Sequence, residues 1–120
     1  MNHAFKATVD LVTINNEKTE CALYLVENGP WENTMEKIKI IQERLYNTLD
    51  VAVDGLLADK YPESTGLKIR IQVDAYDNPP NDVPELVEKF NHFITSNDEY
   101  VRAVNNSKYI SGLYCVCNLA

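Results

Sequence analysis

The segment LKIRIQVDA, residues 67 to 75, constrains the fold more than any other part of the chain. Apolar and polar side chains alternate in it without interruption. Because successive side chains of a β-strand point to opposite faces, this alternation predicts a strand with one face in the core and one in water. The inward set is Leu67, Ile69, Ile71, Val73 and Ala75, and the outward set is Lys68, Arg70, Gln72 and Asp74. A sheet with one polar face is therefore expected.

Three further segments are predicted to be strands. The first spans residues 5 to 15, where alternation predicts that the inward side chains are Phe5, Ala7, Val9 and Leu11. The next, ECALYLVE, is apolar at both parities and is expected to be buried more deeply. NNEK between these two predicts an antiparallel hairpin. The closing segment YISGLYCVCNLA is predicted to be the last strand.

Two main helices are predicted between the strands. The first is expected to begin near Asn33, with Glu36 completing a partial capping box, and to end at Gly55 in a left-handed cap. LLADKY then predicts a further helical turn before Pro62. The apolar stripe of the first helix is Met35, Ile38, Ile41, Leu45, Leu49, Ala52 and Leu56.

The second helix is expected to begin near Asp82, with an apolar stripe of Val83, Leu86, Val87, Phe90 and Ile94. SNDEYVRAVNN predicts a short third helix or a turn. The element order is β-β-α-β-α-β, which predicts an α/β protein of the α+β type. We expect a two-layer sandwich in which two main helices cover one face of a mixed four-stranded sheet. Residues 1–120 are expected to form a single domain.

Composition excludes several classes of protein. The net charge of -7 disfavours nucleic acid as a partner, because phosphate binding requires clustered Lys and Arg. It favours a basic protein partner, although the same charge also serves solubility. No segment is apolar enough for a membrane span, and we expect a cytoplasmic protein. Three cysteines, an odd number, argue against a secreted disulfide framework.

Several residues in the middle of the chain carry a family resemblance. They are Trp31, Gln42, the string DGLLADKYPESTGLKIRIQV with Gly55, Tyr61, Pro62 and Gly66, and the proline-containing loop before the second helix. With these features, the segment from Leu23 to Phe93 resembles a family of small uncharacterised bacterial proteins catalogued as a domain of unknown function. The resemblance implies a compact α/β domain and carries over no catalytic residue, cofactor or substrate. The pair Cys115-x-Cys117 departs from the family pattern.

The acidic segment DAYDNPPNDVPE suggests a metal site but does not fit one. A calcium loop of the EF-hand type needs alternating oxygen ligands and a glycine at its sixth position, and this segment has proline there. Asp82 and Glu85 are better explained as acids of a helix start, which accept free N–H groups and complement the helix dipole. Tyr76, Asp77 and Asn78 are left without a structural explanation.

The sequence has no motif for transition-metal binding, nucleophilic catalysis or phosphate binding. His3 and His92 have no metal-ligand spacing, and no nucleophile elbow or phosphate-binding glycine loop occurs. Cys21, Cys115 and Cys117 are interpreted as core side chains, with a three-thiolate metal site as the alternative. We therefore predict no catalytic residue, no metal and no cofactor, and the interpretation leans against an enzyme, although an unmarked pair of acids doing acid–base work stays open.

Two surfaces remain as candidate binding sites. Glu36, Glu43, Asp50 and Asp54, which we call the acidic stripe, lie opposite the apolar side of the first helix. The alternative is an ordinary solvated helix face. Trp31 follows the second strand, and Tyr76, Asp77 and Asn78 follow the third. If those strands are parallel, both segments reach the same strand-end edge, where α/β sheets bind ligands; the alternative is Trp31 packing under the helix start.

These observations lead to two hypotheses of function. The first is a non-enzymatic cytoplasmic domain that binds a protein partner through acidic and aromatic surface, in its concrete version an immunity or inhibitor protein acting on a basic toxin or nuclease. The second is a small-molecule-binding protein or modest enzyme with a pocket near Trp31 and Tyr76. A homodimer formed through a strand edge or the polar sheet face is compatible with both.

Overall fold

A computed structural model describes residues 9–120, which form a mixed four-stranded sheet and four α-helices. The protein is thus an α+β domain, and the predicted mixed sheet is confirmed. The strands are β1 (Leu11–Ile14), β2 (Glu20–Glu27), β3 (Leu67–Ala75) and β4 (Ile110–Leu119). The helices are α1 (Thr34–Val53), α2 (Leu56–Lys60), α3 (Asp82–Ser96) and α4 (Asp98–Asn106), with a 3-10 turn at Pro62–Ser64.

The strands lie side by side in the order β1-β2-β3-β4. β1 and β2 are antiparallel and form the predicted hairpin, whereas β2 with β3 and β3 with β4 are parallel. Parallel neighbours require a long crossover, which the helices supply. The register places Leu23, Ile71 and Cys115 next to one another across the three long strands.

The alternation of β3 holds along the strand. Ile69, Ile71, Val73 and Ala75 are fully buried. They belong to a single apolar core together with buried side chains of the helices, including Ile41, Leu45, Val87 and Phe90. The side chains between them are exposed at Lys68 and partly exposed at Arg70, Gln72 and Asp74. The prediction of one apolar and one polar face for this strand is confirmed.

The parity predicted for the first strand is wrong. Leu11 is 54% exposed, and Val12 and Ile14 pack against the core in its place. The cause is a bend at Asp10, whose carboxylate accepts a hydrogen bond from the Val26 N–H at 2.7 Å and shifts the alternation by one residue. Val9, before the bend, is buried as predicted. Phe5 and Ala7 lie outside the described residues.

The start of α1 also differs from the prediction. The helix begins at Thr34, but Asn33 has a left-handed backbone (φ 53) and its side chain forms no capping bond, so the partial capping box is absent. Met35 is 81% exposed. At about 100° per residue it lies roughly 80° from the centre of the apolar stripe, which is too far to reach the core. Gly55, with φ 95, is the left-handed residue that was predicted between α1 and α2.

The third and fourth helices follow the sequence closely. α3 begins at Asp82, and Asp82 and Glu85 are in its first turn, where acids complement the helix dipole. The residue before the helix, Asn81, makes no side-chain cap bond. Within SNDEYVRAVNN, the residues Asp98–Asn106 form the helix α4, and Asn97 caps it by accepting a hydrogen bond from the Glu99 N–H at 3.0 Å.

A salt-bridge network joins α1 to the end of β2. The Arg44 guanidinium donates to the Asp10 carboxylate at 2.9 Å, to the carboxylate of Glu27, and to the Val26 carbonyl at 3.2 Å. Glu27 is a buried carboxylate at the inner parity of β2. A buried carboxylate is tolerated when a cation and hydrogen bonds compensate for its lost hydration, and Arg44 supplies both.

The edge strand β4 is tied to α3 by a side chain. The Cys115 N–H donates to Asn91 Oδ1 at 2.8 Å, so a backbone group on the side of β4 where no described strand pairs has a partner. We expect Asn91→Ala to lower the free energy of unfolding by about 1 to 2 kcal/mol, because the amide is left unsatisfied. Urea denaturation measures the change. Asn91→Asp, which keeps an acceptor oxygen, is the control, and an equal loss in both variants would contradict the role of this bond.

Candidate functional site

The acidic stripe is exposed along α1. Glu36, Glu43, Asp50 and Asp54 all face solvent, on the side of the helix opposite Leu45. Asp50 lies in the last turn of α1, and Asp54 is the residue directly after the helix. The last turn contains no basic residue. Acids at a helix C-terminus oppose the helix dipole, so this placement costs the helix stability. The stripe therefore includes charges that helix formation does not favour.

The pKa of Asp50 also indicates an environment that disfavours negative charge. Partial burial raises the pKa of the Asp50 carboxyl, and the neighbouring charge of Asp54 raises it further. Like charges at positions i and i+4 of a helix repel each other by a few tenths of a kcal/mol. A cation bound beside the pair would relieve both effects.

Aromatic rings from three helices meet next to Asp50. Tyr46 of α1 packs edge-on against Phe90 of α3, with ring centroids 5.0 Å apart, and lies 6.2 Å from the ring of Tyr100 of α4. Phe93 of α3 packs against Tyr100 at 5.1 Å. We call these four residues the aromatic cluster. Phe90 is buried, but Phe93 is 40% exposed, and Tyr46 and Tyr100 are partly exposed, so the cluster reaches the surface.

Two carboxylates, Asp50 and Glu99, lie near Tyr100 of this cluster. Burial raises the pKa of the Tyr100 phenol, and the nearby Tyr46, Asp50 and Glu99 raise it further. We define the acid–aromatic surface as Glu43, Tyr46, Asp50, Asp54, Phe93 and Tyr100. Aromatic faces and carboxylates together suit Lys and Arg side chains, since the ring quadrupole and the negative charge both attract a cation.

Two concavities flank the acid–aromatic surface. The one beside Tyr46 has a volume of about 390 Å³ and also contacts Glu43. The one beside Phe93 has a volume of about 700 Å³ and runs along α3 past His92 and Glu88. Side chains of a partner can enter such grooves, while the rings between them provide rigid contact area at low cost in conformational entropy.

The strand-end residues singled out in the sequence also come together. β2 and β3 are parallel, and the indole N–H of Trp31 donates to the Tyr76 carbonyl at 2.8 Å. The Asp77 carboxylate accepts the Gly29 N–H at 3.0 Å. Asp77 and Asn78 both have left-handed backbones, with φ 63 and 54, which is uncommon for residues other than glycine. We call this arrangement the strand-end clasp.

The hydrogen bonds of the strand-end clasp join groups of the protein to one another. Trp31 packs against the core, and Lys37 stands over its ring with the ammonium 5.0 Å from the centroid while donating to the Asn28 carbonyl at 2.7 Å. The indole N–H and the Asp77 carboxylate are thus engaged within the protein. Tyr76, at 39% exposed, presents its side chain to solvent. The clasp joins the ends of β2 and β3.

The cysteines occupy separate positions. Cys21 is on β2 and Cys115 on β4, with β3 between them and an offset of two residues along the strands, so they are about 12 Å apart, too far to share one ion. Burial raises the pKa of the Cys21 thiol to about 11 and that of Cys115 to about 12. Cys117 is partly exposed, and burial also raises its pKa. Within residues 9–120, no three His, Cys, Asp or Glu side chains form a group that could hold a metal ion.

The aromatic cluster is the part of the surface that sequence reasoning missed. Phe90 was assigned to the apolar stripe of α3, whereas Tyr46, Phe93 and Tyr100 had no assignment. One signal was present: Tyr46 and Phe93 lie just outside the apolar stripes of their helices, where polar side chains are usual.

Comparisons with known proteins place the chain in a family but give no activity. A model of a family of unknown function matches residues 1–106, beyond both ends of the segment on which the resemblance was based. No curated protein and no solved structure matches the chain. None of the helices in the described part of the chain is long and apolar enough to cross a membrane.

Proposed function

Because the chain belongs to this family of unknown function, DUF6572, we propose its function from its surface: a non-enzymatic domain that binds a basic protein partner. The acid–aromatic surface is the proposed contact. Its partner side chains are Lys and, above all, Arg, whose planar guanidinium can stack on a ring and pair with a carboxylate at the same time.

The observation that carries this proposal is the meeting of Tyr46, Phe93 and Tyr100 beside Asp50. Exposed aromatic rings are the side chains most enriched at the energetic centres of interfaces. The unfavourable acids at the end of α1 support it, since their cost to the helix is offset if a cation binds there. The net charge of -7 would also attract a basic partner over a distance.

The concrete version of this function is an immunity or inhibitor protein that blocks a basic toxin or nuclease in the cytoplasm. An inhibitor of this kind covers a cationic surface that would otherwise contact a phosphate backbone, so its own surface carries carboxylates. The acid–aromatic surface has this composition. No catalytic group is required of the chain in this role.

The proposed contact lies on the helices and not on the sheet. We infer a two-layer sandwich, with the two long helices α1 and α3 as one layer and the sheet as the other. In this arrangement the acid–aromatic surface lies on the helical layer. The small-molecule or enzyme alternative near Trp31 and Tyr76 stays a prediction, and the engagement of the indole N–H and the Asp77 carboxylate within the clasp gives it no support.

Capture of partners with charge-reversed variants tests the proposal. The tagged protein is incubated with an extract of the source organism, and bound proteins are quantified by mass spectrometry. The test variant replaces Glu43, Asp50 and Asp54 with lysine. The control replaces the exposed Glu17, Glu32 and Glu63 with lysine, which changes the net charge equally. We expect the control to retain a basic partner that the test variant loses by about tenfold or more.

A variant that removes the exposed rings tests the same contact without changing charge. Phe93→Ser with Tyr100→Ser removes the exposed rings without changing charge and should release the same partner. If both lysine variants capture the same proteins as the unmodified chain, the acid–aromatic surface is not the contact and the proposal is wrong. Circular dichroism of each variant verifies that it is folded.

A further inference from the structure

The polar face of the sheet, on the side away from the apolar core, also carries several partly exposed apolar and aromatic side chains. It carries the outward side chains of all four strands, and those of Tyr24, Val26, Tyr114 and Val116 lie outside the apolar core and its packed margin. Leu11, at the edge of this face, is 54% exposed. Tyrosine, valine and leucine together on a partly exposed sheet face are more typical of an interface than of a solvated surface.

Two of the charges on this face neutralise each other. The Arg70 guanidinium donates to Glu20 at 2.9 Å and to the Tyr24 hydroxyl at 3.2 Å. The Tyr114 hydroxyl donates to the other oxygen of Glu20 at 2.7 Å. This network links β2, β3 and β4, holds both tyrosines in place and leaves no net charge at the centre of the face.

The remaining charges are Lys68 and Asp74, at opposite ends of β3. They are six residues apart, about 20 Å along the strand. Lys68 is exposed, with its ammonium 4.8 Å from the centroid of the Tyr114 ring. Asp74 accepts a hydrogen bond from Gln72 at 2.7 Å through one oxygen. Neither forms a salt bridge with another described residue.

We propose that a second copy of this chain covers this face, related to the first by a two-fold axis that runs between the sheets and across the strands at Ile71. The axis reverses the direction of β3, so Lys68 of each copy meets Asp74 of the other. An isologous contact requires a self-complementary surface, and two opposite charges equidistant from Ile71 provide it. This inference does not rest on the acid–aromatic surface, which lies on the helices.

The same axis matches large side chains with small ones. From the register, Tyr24 of one copy lies over Ala22 of the other, and Tyr114 lies over Val116. At the margin, the exposed Leu11 lies over Thr13. An axis along the strands, over or beside β3, would instead place Asp74 opposite Asp74, Val26 or Asn118 of the other copy, and never opposite a cation. The choice of axis is therefore set by charge and by side-chain size together.

The size of the face determines how strong such a dimer can be. With strands about 4.8 Å apart and about 3.3 Å per residue, the four strands, of 4, 8, 9 and 10 residues, cover roughly 500 Å² on each copy. The total of roughly 1,000 Å² is at the lower limit for specific interfaces. The dimer is thus expected to dissociate at low concentration and to weaken as salt screens its charges.

Charge exchange tests the dimer and its axis. Sedimentation equilibrium of the full chain, from low to high micromolar concentration at low salt, measures the dissociation constant. Lys68→Glu alone and Asp74→Lys alone each create two repulsive contacts and should raise that constant by about tenfold or more. An equal mixture of the two variants makes both contacts attractive in the heterodimer, which should restore association. Lys39→Glu and Asp59→Lys, which change exposed charges away from this face, are the matched controls.

Each outcome decides the proposal. Weaker association of each single variant, restored in their equal mixture and absent from both controls, supports the axis; weaker association that the mixture does not restore contradicts it. If the protein is monomeric at all concentrations, the dimer proposal is wrong. If it dimerises but neither charge exchange changes the dissociation constant, this face is not the interface. Circular dichroism identifies folded variants, and Lys68→Gln replaces Lys68→Glu if the latter does not fold. Because partner capture uses helix variants and this experiment uses sheet variants, the failure of one proposal is distinguishable from the failure of the other.

Discussion

Replacing Arg44 with methionine is expected to lower the free energy of unfolding by about 3 kcal/mol. The change leaves the buried Glu27 carboxylate without its cation, and removing one partner of a buried ion pair costs more than the pair contributes. It also removes a hydrogen bond to the Val26 carbonyl and the salt bridge to Asp10. Urea denaturation followed by circular dichroism measures the loss.

Two companion variants isolate the cause. Arg102→Met removes an equal charge from the exposed surface of α4 and should cost less than about 0.5 kcal/mol. Arg44→Met combined with Glu27→Gln removes the uncompensated charge, so part of the stability should return. A double variant no more stable than Arg44→Met alone would show that the loss arises from packing and not from an unpaired carboxylate.

Replacing Gly55 with alanine is expected to destabilise the protein by about 3 kcal/mol. Its backbone is left-handed, with φ 95, which costs an L-residue about 1 to 2 kcal/mol. An added Cβ would also lie 2.6 Å from Cζ of the Tyr109 ring, closer than atoms approach without displacement. Moving a packed ring adds about 1 to 3 kcal/mol. Thermal and urea unfolding measure the sum.

Gly66 provides a matched control for Gly55. Its backbone is also left-handed, with φ 82, but an added Cβ meets no atom within 4 Å. Gly66→Ala should therefore lose about 1 to 2 kcal/mol from backbone strain alone. The difference between the two variants measures the contact with Tyr109. Equal losses at both glycines would mean that the ring moves aside at no cost.

The sequence predicted those features of the fold that depend only on residues close together in the chain. The alternation of β3 predicted its two faces, and Gly55 marked the left-handed residue between two helices, because one residue's own conformational freedom decides that position. The parallel pairing of β2 and β3, which was left as a condition, brings Trp31 to Tyr76 as the strand-end argument required.

Features that depend on distant residues were not readable. The alternation of the first strand fails because Asp10 bonds to Val26 and Arg44, far along the chain, and the resulting bend moves Leu11 outward. Met35 fits a spacing rule, yet spacing cannot tell how wide a stripe the core accepts. The aromatic cluster needs the packing of three helices, which no local pattern encodes.

The contact between Asn91 and Cys115 also bears on solubility. Among the described strands β4 is at an edge, and its ten residues include no charge and no proline, which are two of the devices that stop one sheet edge from pairing with another. A side-chain amide already bonded to the middle of that edge competes with any incoming strand for the same N–H group. We therefore expect Asn91 of α3 to hinder the pairing of this edge with a strand of another molecule, which is the contact from which cross-β aggregates grow.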